Sequence, residues 1–283
     1  MRCVRFGDAE AFWRHVEAPV TANVVENNVL VGVAGGLRRK PDDTAAMLAV
    51  EEEGRVWLAA LMTPPYRMIV STGEKRALPC LIDEIVAQGL TPPGVVGLTD
   101  MSEAFAGAWS RRTGARTMPA MRMTLYTLSE VTMPETPAGT LRKAAAVDIE
   151  HVAGWIAAFS EETLSSEFER KHSRETATAQ MERSLVYLWE VDGVAVSTAC
   201  YRDIGEHGAR IGPVYTPPDE RRKGYGTACV SHLSRRILAL GKTWCSLFAD
   251  ATNPTSNNIY RRMGYNAACT YREYDFAAIT DAG

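Results

Sequence analysis

The run Arg221-Arg222-Lys223-Gly224-Tyr225-Gly226-Thr227 places three cations before two glycines one residue apart. An apolar face at helix spacing starts just beyond it, with Val230, Leu233, Ile237 and Leu240, and Gly241 follows as the expected C-cap. A helix N-terminus carries unpaired N–H groups and a partial positive charge. Glycine lets the backbone turn and removes the side chain that would hold a ligand away. Together these residues read as a cradle of backbone amides with a cationic rim, suited to a phosphate or pyrophosphate. The string is neither the dinucleotide fingerprint G-x-G-x-x-G nor the P-loop G-x-x-x-x-G-K-[ST].

The elements around the cradle follow from local pattern. "SLVYLWEVDG" reads as a strand ending in an Asp192-Gly193 turn, and "VAVSTACYRD" as its partner. "ARIGPVYT" makes a third antiparallel strand, stopped by Pro217 and Pro218, which cannot supply ladder hydrogen bonds. After the cradle helix come a strand "WCSLFAD", a short helix "SNNIYRRM" ended by Gly264, and a last strand "YNAACTYREYDF".

The chain of 283 residues is long for one domain and suits two. A net charge of −3 excludes a general polyanion binder, so nucleic acid is not expected as a partner. Six scattered cysteines without a C-x-x-C pair fit neither a zinc site nor a disulfide framework, and are expected as core thiols in a reducing compartment. With no apolar run of membrane-span length and no signal-like apolar core at the start, the expected location is cytoplasmic, without a membrane partner or a metal.

The Pro-, Gly- and Thr-rich stretch around 131–140 is the best linker, dividing the chain into 1–130 and 141–283. The halves look duplicated. "LMTPPYR" matches "VYTPPDE" and "WSRRTGA" matches "IYRRMGY"; Thr63 and Thr216 stand 153 residues apart, and Gly114 and Gly264 stand 150 apart.

The order of meander, R-x-x-G-x-G at Arg221, Gly224 and Gly226, long helix, strand, and then Asn253, Tyr260, Gly264 and Tyr265 resembles the GNAT superfamily of N-acetyltransferases. The resemblance covers about 141–276. It implies a mixed αβ (α+β) fold of two GNAT-like domains, each a largely antiparallel sheet flanked by helices. It further implies that Val214 and Tyr215 pair with a pantetheine arm, and that the amides of Arg222, Lys223, Gly224, Tyr225, Gly226 and Thr227 grip the pyrophosphate of acetyl-CoA, with Arg221 at the rim. Asn253 would bond the pantetheine arm or help fix the splayed strand, Asn257 would assist in binding the cosubstrate, and Tyr260 would point at the thioester sulfur.

The implied activity is transfer of an acetyl group from acetyl-CoA to a primary amine of a small molecule or peptide. A phenol near pKa ~10 can give a proton to the leaving thiolate, and Tyr260 is the expected acid. For the proton leaving the amine, Glu161 or Glu162 could receive a cationic amine, Glu162 being the one assigned to catalysis; Glu190 could face the cleft, His207 is expected to be solvated in its turn, and a water chain alone could carry the proton away. In the first half, Met68, Ile69 and Val70 follow the matching Thr-Pro-Pro where bare amides belong, and Ser110 replaces Tyr260. That half is therefore expected to be a degenerate copy that shapes the cleft or forms a homodimer. Two alternatives stay open: an acyl-CoA-binding sensor or scaffold without catalysis, and a longer acyl donor.

Overall fold

The computed structural model describes residues 1–163, 171–183 and 185–277. In chain order the elements begin with β1 (Arg2–Phe6), α1 (Ala9–Thr21), α2 (Asn28–Arg39), β2 (Ala46–Glu52) and β3 (Arg55–Met62). Next come β4 (Met68–Val70), α3 (Leu78–Ala87), β5 (Gly94–Leu98), α4 (Thr99–Thr113) and β6 (Arg116–Leu128). The second run holds β7 (Thr140–Lys143), α5 (Ile149–Glu162), α6 (Ser173–Glu182), β8 (Val186–Val191) and β9 (Val194–Ile204). It ends with β10 (Gly208–Tyr215), α7 (Tyr225–Ala239), β11 (Trp244–Asp250), α8 (Pro254–Arg262) and β12 (Asn266–Ala277). Among the described elements the same order of strands and helices therefore occurs twice.

Two compact units form. One takes Met1–Leu125, Ala249–Thr252 and the chain from Ala268 onward; the other takes Tyr126–Phe248 and Asn253–Ala267. By connectivity alone residues 141–283 would stay together, but the strand from Ala268 joins the first unit, where β12 runs antiparallel to β5 with Tyr271 opposite Leu98. Strand exchange of this kind is made by hydrogen bonds between distant segments, and local composition carries no signal of it.

In the first unit β1, β2, β3 and β4 pair antiparallel in succession, and β4 runs parallel to β5. Leu48, Leu58, Met68, Leu81 and Phe105 lie fully buried at its core. The repeated strings fare differently here. Gly114 and Gly264 both end a helix in the left-handed region, at φ 74° and 95°, so that match is structural. The Thr-Pro-Pro match is not. Thr63-Pro64-Pro65 lies between β3 and β4, whereas Thr216-Pro217-Pro218 follows β10, the fourth strand of its own unit. Proline terminates a strand at either end, so the pair does not mark register. Met68, Ile69 and Val70 are accordingly a buried strand, and the counterpart of the cradle is Ser71–Ala77.

In the second unit β7, β8, β9 and β10 form the antiparallel meander. Its tight turn has Asp192 and Gly193 at φ 48° and 80°, the two left-handed residues of a type I′ hairpin. On α7, Val230, Leu233 and Ile237 are buried as the spacing predicts. Leu240 is instead exposed, because the helix ends at Ala239 and Leu240 caps it through N–H bonds to the Arg236 and Ile237 carbonyls. Gly241 at φ 95° completes that end.

The expected core thiols divide. Cys200, Cys229 and Cys245 are buried, whereas Cys3, Cys80 and Cys269 are partly exposed. Among the described residues no helix is long and apolar enough to cross a membrane.

Candidate functional site

β10 runs parallel to β11 only from Gly208 to Ile211, opposite Trp244 to Leu247. Beyond a bulge its pairing with β9 resumes, Val214 opposite Ala199 and Tyr215 opposite Thr198, without β11 on the other side. The end of β10 thus leaves an open edge. The Tyr215 carbonyl accepts from Ser197 Oγ at 3.1 Å and so faces β9. Successive backbone groups of a strand point to opposite edges, which turns the N–H and C=O of Val214 toward the open side. An extended ligand with amide groups can add there as a strand does.

The chain leaves β10 through Thr216 and reaches α7 in one tight loop. Arg222 and Gly224 both take positive φ, 65° and 85°. Gly224 is the N-cap of α7, and the first ladder bond is Ala228 N–H to the Gly224 carbonyl. The N–H groups of Tyr225, Gly226 and Thr227 precede that ladder and stand at the positive end of the helix dipole. A Cβ on Gly226 would lie 3.1 Å from Thr216 Oγ1, and one on Gly224 3.3 Å from Pro137 Cδ. A side chain at either position would crowd its neighbour, and the φ of Gly224 favours glycine there as well.

The three cations are not equivalent. One terminal nitrogen of Arg221 bonds both Glu162 oxygens, at 2.6 and 2.8 Å, and its Nε bonds the Thr216 carbonyl at 2.8 Å. Lys223 pairs with Glu220 at 2.9 Å. Among the described residues only Arg222 of the three has no acidic partner. The expectation of three mobile rim charges thus reduces to one, because neighbouring carboxylates hold the other two. The Glu162 hydrogen bonds raise the Arg221 pKa above its usual range, and the Glu220 hydrogen bond does the same for Lys223.

Tyr260 lies on α8 with its ring 6.3 Å from that of Tyr126 and 6.0 Å from that of Tyr265. Among the described residues its hydroxyl has no hydrogen-bond partner. Desolvation pushes its phenol up to about 12, so it stays protonated at neutral pH. The other aromatic groups nearby are committed: Tyr126 OH donates to Asn257 Oδ1 at 2.8 Å, and Tyr265 OH pairs with Ser234 Oγ at 2.8 Å.

The two asparagines turn out to hold the helix. The side-chain oxygen of Asn253 caps α8 by accepting from the N–H groups of Thr255 and Ser256. Asn257 is buried and donates to the Asn253 carbonyl at 2.6 Å, so its amide serves the protein's own packing. Of the other candidate proton acceptors, Glu190 is bonded to Arg142, which also grips Asp148 at the start of α5. His207 is exposed in its turn beside Glu206. Ser197, Thr216, Tyr126 and Pro137 matter to the site and carry no motif. Thr216 Oγ1 and Ser197 Oγ lie 2.9 Å apart, tying the loop back to β9. Among the described residues no cluster of His, Cys, Asp and Glu could hold a metal ion.

Residues 149–265 match the family described as "Acetyltransferase (GNAT) family". No curated protein sequence is a significant match. A GNAT-family acetyltransferase from Colwellia psychrerythraea is similar in fold, with a TM-score of 0.60 at 10% identity over 98% of this chain and 99% of that one. A GCN5-related N-acetyltransferase from Sphaerobacter thermophilus gives 0.61 at 16% identity over 98% and 97%. A tandem GNAT protein from the clavulanic acid biosynthesis pathway gives 0.57 at 11% identity over 99% of both chains. Residues 149–265, the part that resembles the acetyltransferase (GNAT) family, hold the open edge of β10, the glycine cradle and Tyr260.

Proposed function

We propose that the second unit is an N-acetyltransferase that moves an acetyl group from acetyl-CoA to a primary amine of a small molecule or peptide. The observation that carries this is the open edge of β10 running directly into bare helix amides behind a left-handed glycine. A pantetheine arm needs amide partners along an extended line, and a pyrophosphate needs converging N–H donors; the two features offer these in that order along the chain. Val214 would bond the arm, and the amides from Arg222 to Thr227 would hold the pyrophosphate. Bound there, acetyl-CoA supplies a thioester whose carbonyl carbon is open to an amine and whose sulfur is the leaving atom.

The protein's part is to orient and to manage charge. The Val214 N–H faces the open edge, where it can bond an acyl oxygen as negative charge grows on it. Among the described residues no other group claims the Tyr260 proton, and Tyr260 can give it to the departing sulfur. Support for catalysis over a pure acyl-CoA sensor comes from that same hydroxyl, since a sensor has no use for an unpartnered donor. Calorimetry with CoA on the intact chain tests the donor site. Release of free CoA from acetyl-CoA, screened across amine classes, tests the chemistry. Binding without turnover of any amine would favour the sensor; no binding would refute the site.

In the first unit, four amides of the loop that corresponds to the cradle are bonded internally. Ser71 N–H bonds the Ala59 carbonyl, Thr72 N–H bonds Asn27 Oδ1, Glu74 N–H bonds the Trp57 carbonyl, and Ala77 N–H bonds the Glu74 carbonyl. With Ser110 at the position of Tyr260, this unit serves as a scaffold and does not transfer acyl groups.

A further inference from the structure

Glu162 was the leading sequence candidate for the proton acceptor, and its surroundings give it other work. Both of its oxygens bond one guanidinium nitrogen of Arg221. The Tyr215 hydroxyl donates to it at 3.4 Å, and the Arg221 guanidinium sits 5.6 Å from the centre of the Tyr215 ring. The same guanidinium holds the Thr216 carbonyl, which is the first group beyond β10. Three contacts thus converge on one planar cation, and they join the C-terminal turn of α5 to the loop that carries the cradle. Trp155, one helical face further up α5, packs against Tyr215 with ring centres 6.4 Å apart.

Arg222, the next residue, sits at φ 65° without being glycine. A non-glycine residue in that region costs free energy and persists where its neighbours over-determine it. The Arg221 side chain supplies the constraint. It closes Thr216 to Arg221 into a ring through the Thr216 carbonyl, and Glu162 fixes the far end of that ring. The bare amides of α7 begin at Tyr225, three residues beyond Arg222.

We infer that Glu162 is a positioning residue for the acyl donor: through Arg221 it presets the cradle loop, and it is not the acceptor of the amine's proton. The inference rests on the proposed donor site. An isolated exposed ion pair is commonly worth little, but here charge, a backbone carbonyl and an aromatic face share one guanidinium, which makes the geometry specific. Arg221→Lys keeps the charge and loses the fork, so it separates position from electrostatics.

The test uses the intact chain, CoA as the probe, and the variants E162Q, R221K and the double variant. Each single variant is expected to weaken CoA binding ~2- to 10-fold in calorimetry, and the double variant no more than the worse single, because both break one unit. With an accepted amine, KM for acetyl-CoA rises while kcat and its acidic limb keep their place. Unchanged CoA affinity in E162Q overturns the inference, as does strict additivity. Loss of the acidic limb in E162Q at unchanged affinity also overturns it and makes Glu162 the base. A wild-type chain that binds no CoA overturns the donor site itself, which is a different result from variants that bind like wild type.

Discussion

Replacing Tyr260 by phenylalanine removes one oxygen and leaves a ring that still meets Tyr126 and Tyr265. Among the described residues that oxygen makes no hydrogen bond, so none is broken. The stability change should stay within about 0.5 kcal/mol, or ~1–2 °C in melting temperature. Activity should fall much further. Loss of a general acid costs ~10- to 10⁴-fold, or roughly 1.4–5.5 kcal/mol of barrier. Whether a phenol pushed up to about 12 can act as an acid depends on its partner. Against an ordinary thiol near ~8.5, full proton transfer would be uphill by roughly 5 kcal/mol. The thiols of Cys200 and Cys245, buried in the same unit, are themselves pushed up to about 12 by desolvation. A sulfur leaving in a comparably dry setting is raised in the same way, and the transfer then comes near balance. The assay is kcat with acetyl-CoA and with an activated thioester, beside CoA affinity and a thermal melt. The loss should shrink with the activated donor while affinity and melting hold. An unchanged kcat with every donor, or a fall in melting that parallels the fall in rate, would refute the reasoning.

The same phenol fixes a pH dependence. Its raised pKa favours the protonated form, so the acid is present below about 12 and is lost only as pH rises through that value. Between pH 7 and 10, kcat should show no descending limb that disappears in Tyr260→Phe; such a limb would mean that the phenol ionises lower. Gly224→Val should destabilise the loop by ~1–3 kcal/mol through its φ of 85°, and Gly224→Asn by less, since asparagine tolerates that region; equal effects in CoA titrations and melts would argue for simple filling of the pocket. Gly226→Val should abolish CoA binding by driving Thr216 from Ser197, at ~1–3 kcal/mol of overpacking, and calorimetry showing wild-type affinity would misplace the cradle. CoA should bind the intact chain at one site, and retention of one site in Gly226→Val would move it to the first unit.

What the sequence discloses here is local. The cradle could be found because a strand, a loop and a helix start follow one another within about twenty residues, and each has a short-range cause. Tyr260 stood out because its string has a fixed order. The pairing of Arg221 with Glu162 spans 59 residues, and no spacing rule announces it. Three adjacent cations therefore look alike until their carboxylates are placed. Asn253 and Asn257 have local work that their motif does not announce: the Asn253 side-chain oxygen caps α8, and the Asn257 amide nitrogen donates to the Asn253 carbonyl. The Thr-Pro-Pro repeat misplaced the first unit's loop because proline reports that a strand ends and not which strand it is. The strand from Ala268 was assigned by connectivity, whereas its hydrogen bonds to β5 assign it elsewhere.

Bulky residues in the first unit's loop were the expected obstacle, yet Met68, Ile69 and Val70 belong to a strand and obstruct nothing. The loop at Ser71–Ala77 even contains a glycine, Gly73, whose missing side chain lets it lie against the Trp57 carbonyl, where a Cβ would come within 2.2 Å. That close approach serves the protein and not a ligand, since Ser71, Thr72, Glu74 and Ala77 all give their N–H groups to internal acceptors. In the second unit the corresponding turn is bent by Arg222 and Gly224, so that the next three amides have no acceptor in the helix they begin. Helix order is common to both loops, while the first holds one glycine, Gly73, and the cradle two, Gly224 and Gly226. In the first unit Ser71, Thr72, Glu74 and Ala77 give their amide hydrogens to internal acceptors, whereas the amides of Tyr225, Gly226 and Thr227 precede the helix ladder at the positive end of α7.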